Sequence, residues 1–266
     1  MNANTTEGVT PIEKGYAPIN GLNLYYEVYG SGKPLVLIHG GGSTIESNFG
    51  RLIPVLSKTR KLVAVEMQAH GHTPDRTTAL SFEQDAADVS ALLDYLHIEK
   101  AAVLGFSNGG TTALQLAIRH AEKVEHLILC SALAKRAGMP NWFWDFMNQA
   151  NLENMPEQLK QAYLKIANDE VGLQTMHDRD VKRMLDFMDI PDELIAAVKA
   201  KTLLVSGDKD VVLPEHTLAL YRLLSNSALA ILPGGHGDYL GEITTITAGE
   251  DQVQLFVAMV EKFLDQ

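Results

Sequence analysis

The stretch that most constrains this chain is Ala101-Ala102-Val103-Leu104-Gly105-Phe106-Ser107-Asn108-Gly109-Gly110. Its first half is the short apolar run of a strand buried on both faces. It passes without a linker through a glycine-flanked serine into Thr112–Ile118, whose composition reads as a helix. So tight a junction forces the central residue into a strained conformation, and side chains at Gly105 or Gly109 would collide with neighbouring backbone. The Ser107 hydroxyl would then stand above the sheet edge. The first helical amides and the positive end of the helix dipole would face the point where a negative oxygen develops. The same letters also suit an ordinary strand-to-helix turn, with the serine as a turn or capping residue. Partners elsewhere in the chain have to decide.

A serine hydroxyl attacks only when a base takes its proton, and the base needs an orienting partner. Two late strands end in suitable loops: Thr202–Ser206 runs into Gly207-Asp208-Lys209-Asp210, and Ala228–Leu232 into Pro233-Gly234-Gly235-His236-Gly237. Earlier, the apolar run Pro34–Ile38 ends in His39-Gly40-Gly41-Gly42, a glycine series whose uncovered N–H groups could hold an oxyanion. That series lacks the G-K-[ST] ending and the G-x-G-x-x-G spacing of phosphate-binding loops. His70 and His72 form an H-x-H pair, but no third ligand follows at a recognisable spacing, so no metal is expected.

The remaining pattern alternates strands and helices. Tyr16–Ile19, Asn20-Gly21 and Leu22–Tyr29 read as a hairpin on a type I′ turn, antiparallel to the sheet that follows. A helix is expected over about Ile45–Leu56, then the strand Leu62–Val65. Ser81 and Gln84 read as a capping box for a helix burying Phe82, Ala86, Val89, Leu93 and Leu96. A strand over Val124–Cys130 follows the helix after Ser107. Residues 134–195 then contain no strand pattern: Trp142, Phe143, Trp144 and Phe146 crowd ahead of helical segments around Glu157–Ala167 and Val181–Met188. This reads as a helical insertion laid over the carboxyl edge of the sheet, where open α/β sheets bind ligands. The aromatics either line a binding site or seal the insertion onto the body. Residues 1–133 and 196–266 form the core, and an amphipathic helix ends the chain.

The net charge of -11 disfavours nucleic acid and anionic membrane surfaces as partners, and the densest basic cluster, Lys58, Arg60 and Lys61, is a solvated loop. The single cysteine, Cys130, permits no internal disulfide and reads as a buried thiol. Residues 1–14 are polar and read as loosely held. Residues 1–15 have no basic n-region or apolar h-region, and no apolar run approaches membrane-spanning length, so a cytoplasmic location is expected. Oligomeric state is not legible.

The chain resembles the α/β-hydrolase fold superfamily, in its capped, esterase-like branch. The resemblance runs from the Asn20-Gly21 hairpin to the last helix. It is carried by Leu35-Val36-Leu37-Ile38-His39-Gly40-Gly41-Gly42, by Gly105-Phe106-Ser107-Asn108-Gly109-Gly110, by Gly207-Asp208-Lys209-Asp210-Val211-Val212-Leu213-Pro214 and by Leu232-Pro233-Gly234-Gly235-His236-Gly237. The order Ser, Asp, His is that of the superfamily. The resemblance implies a mostly parallel sheet with helices on both faces and a catalytic triad of Ser107, Asp210 and His236. Asp210 is preferred to Asp208 because the acid of similar proteins stands three residues after the glycine and four before the proline. By the same carry-over the backbone N–H groups of Asn108 and Gly41, rather than Gly42, form an oxyanion hole, and His39 shapes its loop. Glu66-Met67-Gln68-Ala69-His70-Gly71 departs from the usual pattern, with Glu66 where similar proteins carry aspartate, which bears on loop packing. The implied activity is hydrolysis of carboxylic esters or related small acyl compounds, without metal or organic cofactor, on a small apolar substrate touching Trp142, Phe143, Trp144 or Phe146. Carbon–carbon bond hydrolases, lactonases and perhydrolases share the constellation, and a non-catalytic ligand receptor is the reading from another class.

Overall fold

A computed structural model of the chain describes residues 9–245 and 250–266. Its strands are β1 (Glu13–Ile19), β2 (Leu22–Tyr29), β3 (Pro34–Ile38), β4 (Lys61–Val65), β5 (Ala101–Phe106), β6 (Val124–Cys130), β7 (Lys201–Gly207) and β8 (Ser227–Leu232). They form one sheet in the order β1-β2-β4-β3-β5-β6-β7-β8. β2 is antiparallel to both β1 and β4, and every other pair is parallel. Asn20 and Gly21 close the hairpin at φ 47° and 74°, the left-handed pair that a type I′ turn demands. The first strand begins at Glu13, earlier than the polar character of residues 1–14 suggests, because Glu13 and Lys14 pair with Val28 and Glu27. Residues 1–8 lie outside the described residues.

Alternation inside the buried strands assigns the two helical layers. Val36, Ile38, Val103, Leu127 and Leu129 pack on one face against α3 (Phe82–Tyr95), α4 (Asn108–Arg119), α8 (Asp192–Ala196) and α9 (Pro214–Leu223). Leu35, Leu37, Leu104, Ile128 and Cys130 pack on the other against α1 (Ile45–Phe49), α2 (Ile53–Leu56) and α10 (Glu250–Leu264). Each such aliphatic side chain contributes about 1.5–3 kcal/mol by leaving water, which fixes the register of every parallel strand.

Several local expectations change. The helix expected over Ile45–Leu56 is two short helices, because Pro54 has no N–H to offer Gly50 and α1 ends at that glycine. Ser81 accepts from Gln84 N, but the Gln84 side chain donates to the buried Asp88 carboxylate at 2.9 Å, so the capping box is half made. Between β6 and β7 the described elements are helical. Trp142–Phe146 lie in a helix of their own, α5 (Asn141–Asn148), ahead of α6 (Glu157–Ala167), which falls as expected. The next helix, α7, spans Glu170–Leu185, not Val181–Met188. Its buried face, Leu173, Met176, His177, Asp180, Arg183 and Met184, is half polar, so apolar periodicity does not reveal it. Ala134, Ile190 and Ile195 join the core layer below the sheet. Among the described residues no helix is long and apolar enough to cross a membrane.

Candidate active site

β5 delivers Ser107 to the carboxyl edge of the sheet in the strained conformation φ 54°, ψ -121°. The turn tolerates nothing larger than glycine on either side. A Cβ at Gly105 would stand 2.1 Å from Gly109 O, and one at Gly109 2.1 Å from Ile38 O. Backbone bonds fix the elbow: Ser107 N donates to Cys130 O at 2.8 Å, and Ser107 O accepts from Gly110 N and Thr111 N. Such strain costs on the order of 1–3 kcal/mol and persists only where the surroundings over-determine it. The Ser107 hydroxyl makes no hydrogen bond among the described residues and opens into a cavity of about 260 Å³ that His236 also lines.

His236, in the loop after β8, presents Nδ1 to Asp210 Oδ1 at 2.7 Å and packs its ring against Phe106 at 4.7 Å. Asp210 is held from every side. Val212 N donates to Oδ1 at 3.0 Å, Gly207 N to Oδ2 at 3.3 Å and Ser131 Oγ to Oδ2 at 2.5 Å, with the Tyr239 hydroxyl 2.7 Å from Ser131 Oγ. Burial alone would raise the Asp210 carboxyl. The His236 charge and hydrogen bond, with those from Ser131 and Val212, hold it below the usual carboxylate range. Asp208 and Asp238 do not approach the imidazole as partners: they accept from Gly234 N at 2.8 Å and Gly235 N at 2.6 Å, folding the histidine loop.

Opposite Ser107 stands the loop after β3. His39 is buried; its Nε2 accepts from Met67 N at 3.0 Å and its Nδ1 donates to Gly40 O at 2.7 Å. Burial, with His70 nearby, pushes it down to about 3, so it is the neutral ring this pairing needs. Gly40 N is anchored on Asn48 Oδ1 at 2.7 Å. The amides of Gly41 and Asn108 donate to no group among the described residues, whereas Gly42 N donates to Asp180 Oδ2 at 2.7 Å. Gly41 and Asn108 both line the cavity.

The H-x-H pair divides. His72 Nδ1 and N meet the buried Glu66 carboxylate at 2.9 and 2.6 Å, while His70 Nε2 meets Asp180 Oδ2 at 2.9 Å. Glu66 thus does bear on loop packing: a Cβ at Gly71 would stand 2.2 Å from its Oε2. Of the four aromatics singled out, Phe143 and Phe146 line the cavity. Trp142 is 60% exposed, and Trp144 lies beneath the Arg136 guanidinium, its indole N–H on Arg136 O at 3.1 Å. Met139, Met147, Met155 and Met184 supply much of the remaining apolar wall, with Asp180 and His177 on it. Methionine, unbranched and without periodic signature, gave no sequence signal for this role.

Parallel sheet, elbow, acid–imidazole pair and roofed cavity together define a hydrolase of the α/β type. The sequence model of the alpha/beta hydrolase fold matches residues 33–178, and the chain belongs to that family. It is 26% identical over 238 residues to the human serine hydrolase BPHL, covering 85% of this chain and 80% of that protein. It is 28% identical over 211 residues to the 2-hydroxymuconate semialdehyde hydrolase of Pseudomonas sp. strain CF600, covering 71% and 74%. A meta-cleavage product hydrolase from Pseudomonas fluorescens IP01 superposes with TM-score 0.78 at 24% identity, covering 96% of this chain and 98% of that one. The protein is therefore an enzyme, a hydrolase acting on a small molecule.

Proposed function

We propose that the protein is a serine hydrolase of small, uncharged carboxylic esters or related acyl compounds, with α5, α6 and α7 roofing the site as a cap. The observation that carries this reading is the 2.7 Å pairing of His236 Nδ1 with Asp210, which leaves Nε2 to serve Ser107 in the shared cavity. His236 takes the Ser107 proton as Oγ bonds to the acyl carbon. The Asn108 and Gly41 N–H groups hold the resulting oxyanion, and the imidazolium protonates the departing alkoxide. Water, deprotonated by His236, then attacks the acyl-enzyme, and Ser107 recovers its proton as the acid leaves. Asp210 holds the imidazole and balances its charge throughout. A panel of short p-nitrophenyl esters tests the reading: turnover by the wild type and its loss in Ser107→Ala are expected, and equal rates would overturn the assignment.

Similarity to the 2-hydroxymuconate semialdehyde hydrolase favours a second reading, cleavage of a carbon–carbon bond by the same triad. A substrate of that kind is an acid. Against it stands the cavity wall, which among the described residues has no lysine or arginine and includes the Asp180 carboxylate. Preference for a half-ester of a dicarboxylic acid over a neutral ester of equal length would favour this second reading.

A further inference from the structure

Asp180 reaches from α7, in the helical insertion, to the loop that carries Gly41. Its Oδ2 accepts from Gly42 N at 2.7 Å and meets His70 Nε2 at 2.9 Å. Its Oδ1 accepts from Arg183 Nη2 at 2.5 Å, and Arg183 Nη1 donates to Asp85 Oδ2 on α3 at 2.6 Å. The other His70 nitrogen, Nδ1, lies 2.9 Å from Gln68 O, while Nε2 lies 2.9 Å from Asp180 Oδ2 and at a longer 3.3 Å from Gly42 N. An imidazole, a guanidinium and two carboxylates thus alternate across the seam between insertion and core, all buried. Burying charge in this way is stabilising only when every member is paired, and an apolar face on α7 would seal the seam at lower cost. A role in placing atoms explains why the charges are there.

The placed atoms belong to the glycine loop. Gly42 adopts φ 67°, and neither Gly41 nor Gly42 has a side chain of its own to hold the loop. Between the anchor of Gly40 N on Asn48 and the long 3.3 Å bond from Ser43 N to Gly40 O, Asp180 supplies the short hydrogen bond to the loop, and His70 Nε2 stands at 3.3 Å from the same Gly42 N. It also crowds the same point as the residue after the nucleophile: a Cβ on Gly41 would lie 3.1 Å from Asp180 Oδ2 and 2.5 Å from Asn108 Nδ2.

We infer that Asp180 is a positioning residue that makes the aim of the Gly41 amide depend on the seating of α7 against the core, so that the oxyanion site is complete only under a docked cap. The inference rests on Gly41 serving as an oxyanion donor. An amide displaced by about an ångström loses most of its stabilisation of the transition state while binding of the ground state changes little.

The test compares wild type, Asp180→Ala and Asp180→Asn in hydrolysis of a neutral p-nitrophenyl ester and in inhibition by an alkylboronic acid, whose tetrahedral adduct mimics the oxyanion. For Asp180→Ala, kcat falls by about ten- to a hundredfold, the boronic acid weakens by the same factor, and KM stays within about threefold. Asp180→Asn preserves volume and one acceptor, guards against a folding failure, and gives an intermediate loss in the same two quantities. Loss of seam packing alone would instead raise KM and leave the ratio of boronic acid affinity to kcat disturbed. Unchanged kcat in both variants, or a loss confined to KM, overturns the inference while leaving the triad standing. A wild type that turns over no neutral ester overturns the reading of the site and this inference with it.

Discussion

His236 Nδ1 lies 2.7 Å from Asp210 Oδ1, and the other oxygen of the same carboxylate is taken by Ser131, so the acid behind the base can rotate about neither. The arrangement holds the Nδ1 edge of the imidazole on Asp210 while the residue lines the cavity. How strongly it does so depends on residues that never touch substrate.

Ser131 is the clearest of these. Its removal leaves Asp210 Oδ2 with only the 3.3 Å bond from Gly207 N. Loss of a hydrogen bond to a charged group is worth about 1.5–3 kcal/mol, so Ser131→Ala lowers kcat/KM by about tenfold or more. Steady-state kinetics read this directly, and a change under twofold would place the orientation of Asp210 elsewhere.

Asp210, held below the usual carboxylate range, keeps its charge into acid. A single ionisation, that of the base, then governs the acid limb of kcat/KM, which falls on acidification with a slope of one proton. An acid limb with a slope of two protons would show that Asp210 loses its charge together with the base.

The elbow glycines set a stability prediction with an internal control. Gly109→Ala drives a Cβ to 2.1 Å from Ile38 O and destabilises the fold by about 3 kcal/mol or more, whereas Gly235→Ala meets nothing closer than 3.6 Å. Urea midpoints should separate the two widely. Similar midpoints would mean that the strand-to-helix turn relaxes freely.

The seam network titrates. Burial opposes a charge on His70, but Asp180 prevails and raises it; burial opposes a charge on Asp180, but His70 and Arg183 prevail and lower it. A raised histidine contributes stability that is full below its unfolded value, about 6.5, and is lost as pH climbs through the folded one. A lowered aspartate contributes stability that is full above its unfolded value, about 3.9, and is lost only in strong acid. The stability difference between wild type and His70→Gln is therefore greatest near pH 6 and shrinks toward pH 9. Asp85, which burial pushes up to about 6 against the pull of Arg183, and the neutral His39 face the same cluster in both proteins. A difference constant from pH 6 to 9 would show His70 to be uncharged in the fold.

What could be read from the sequence was what the backbone demands locally. Gly105 and Gly109 are written by a steric requirement, Asn20-Gly21 by the φ angles of a two-residue turn, and the buried strands by unbroken apolar runs. Asp210 and His236 were reachable because each follows a strand at the same edge. The seam was not legible, since Asp180 and His70 are 110 positions apart and the buried face of α7 mixes methionine with charge. Ser131 and Tyr239 were hidden for the same reason, 108 positions apart and ordinary in type. The cavity wall was legible in part: Phe143 and Phe146 line it, Trp142 is exposed and Trp144 stacks on Arg136, while the four methionines on the wall carried no sequence signal.

Every step depends on Ser107 as the nucleophile, and covalent capture tests that most directly. After reaction with a fluorophosphonate, peptide mass spectrometry should place one adduct on Ser107, absent from Ser107→Ala and formed far more slowly in His236→Ala. An ester-hydrolysing protein that carries no adduct at Ser107, or that carries it equally fast without the His236 imidazole, would contradict the account.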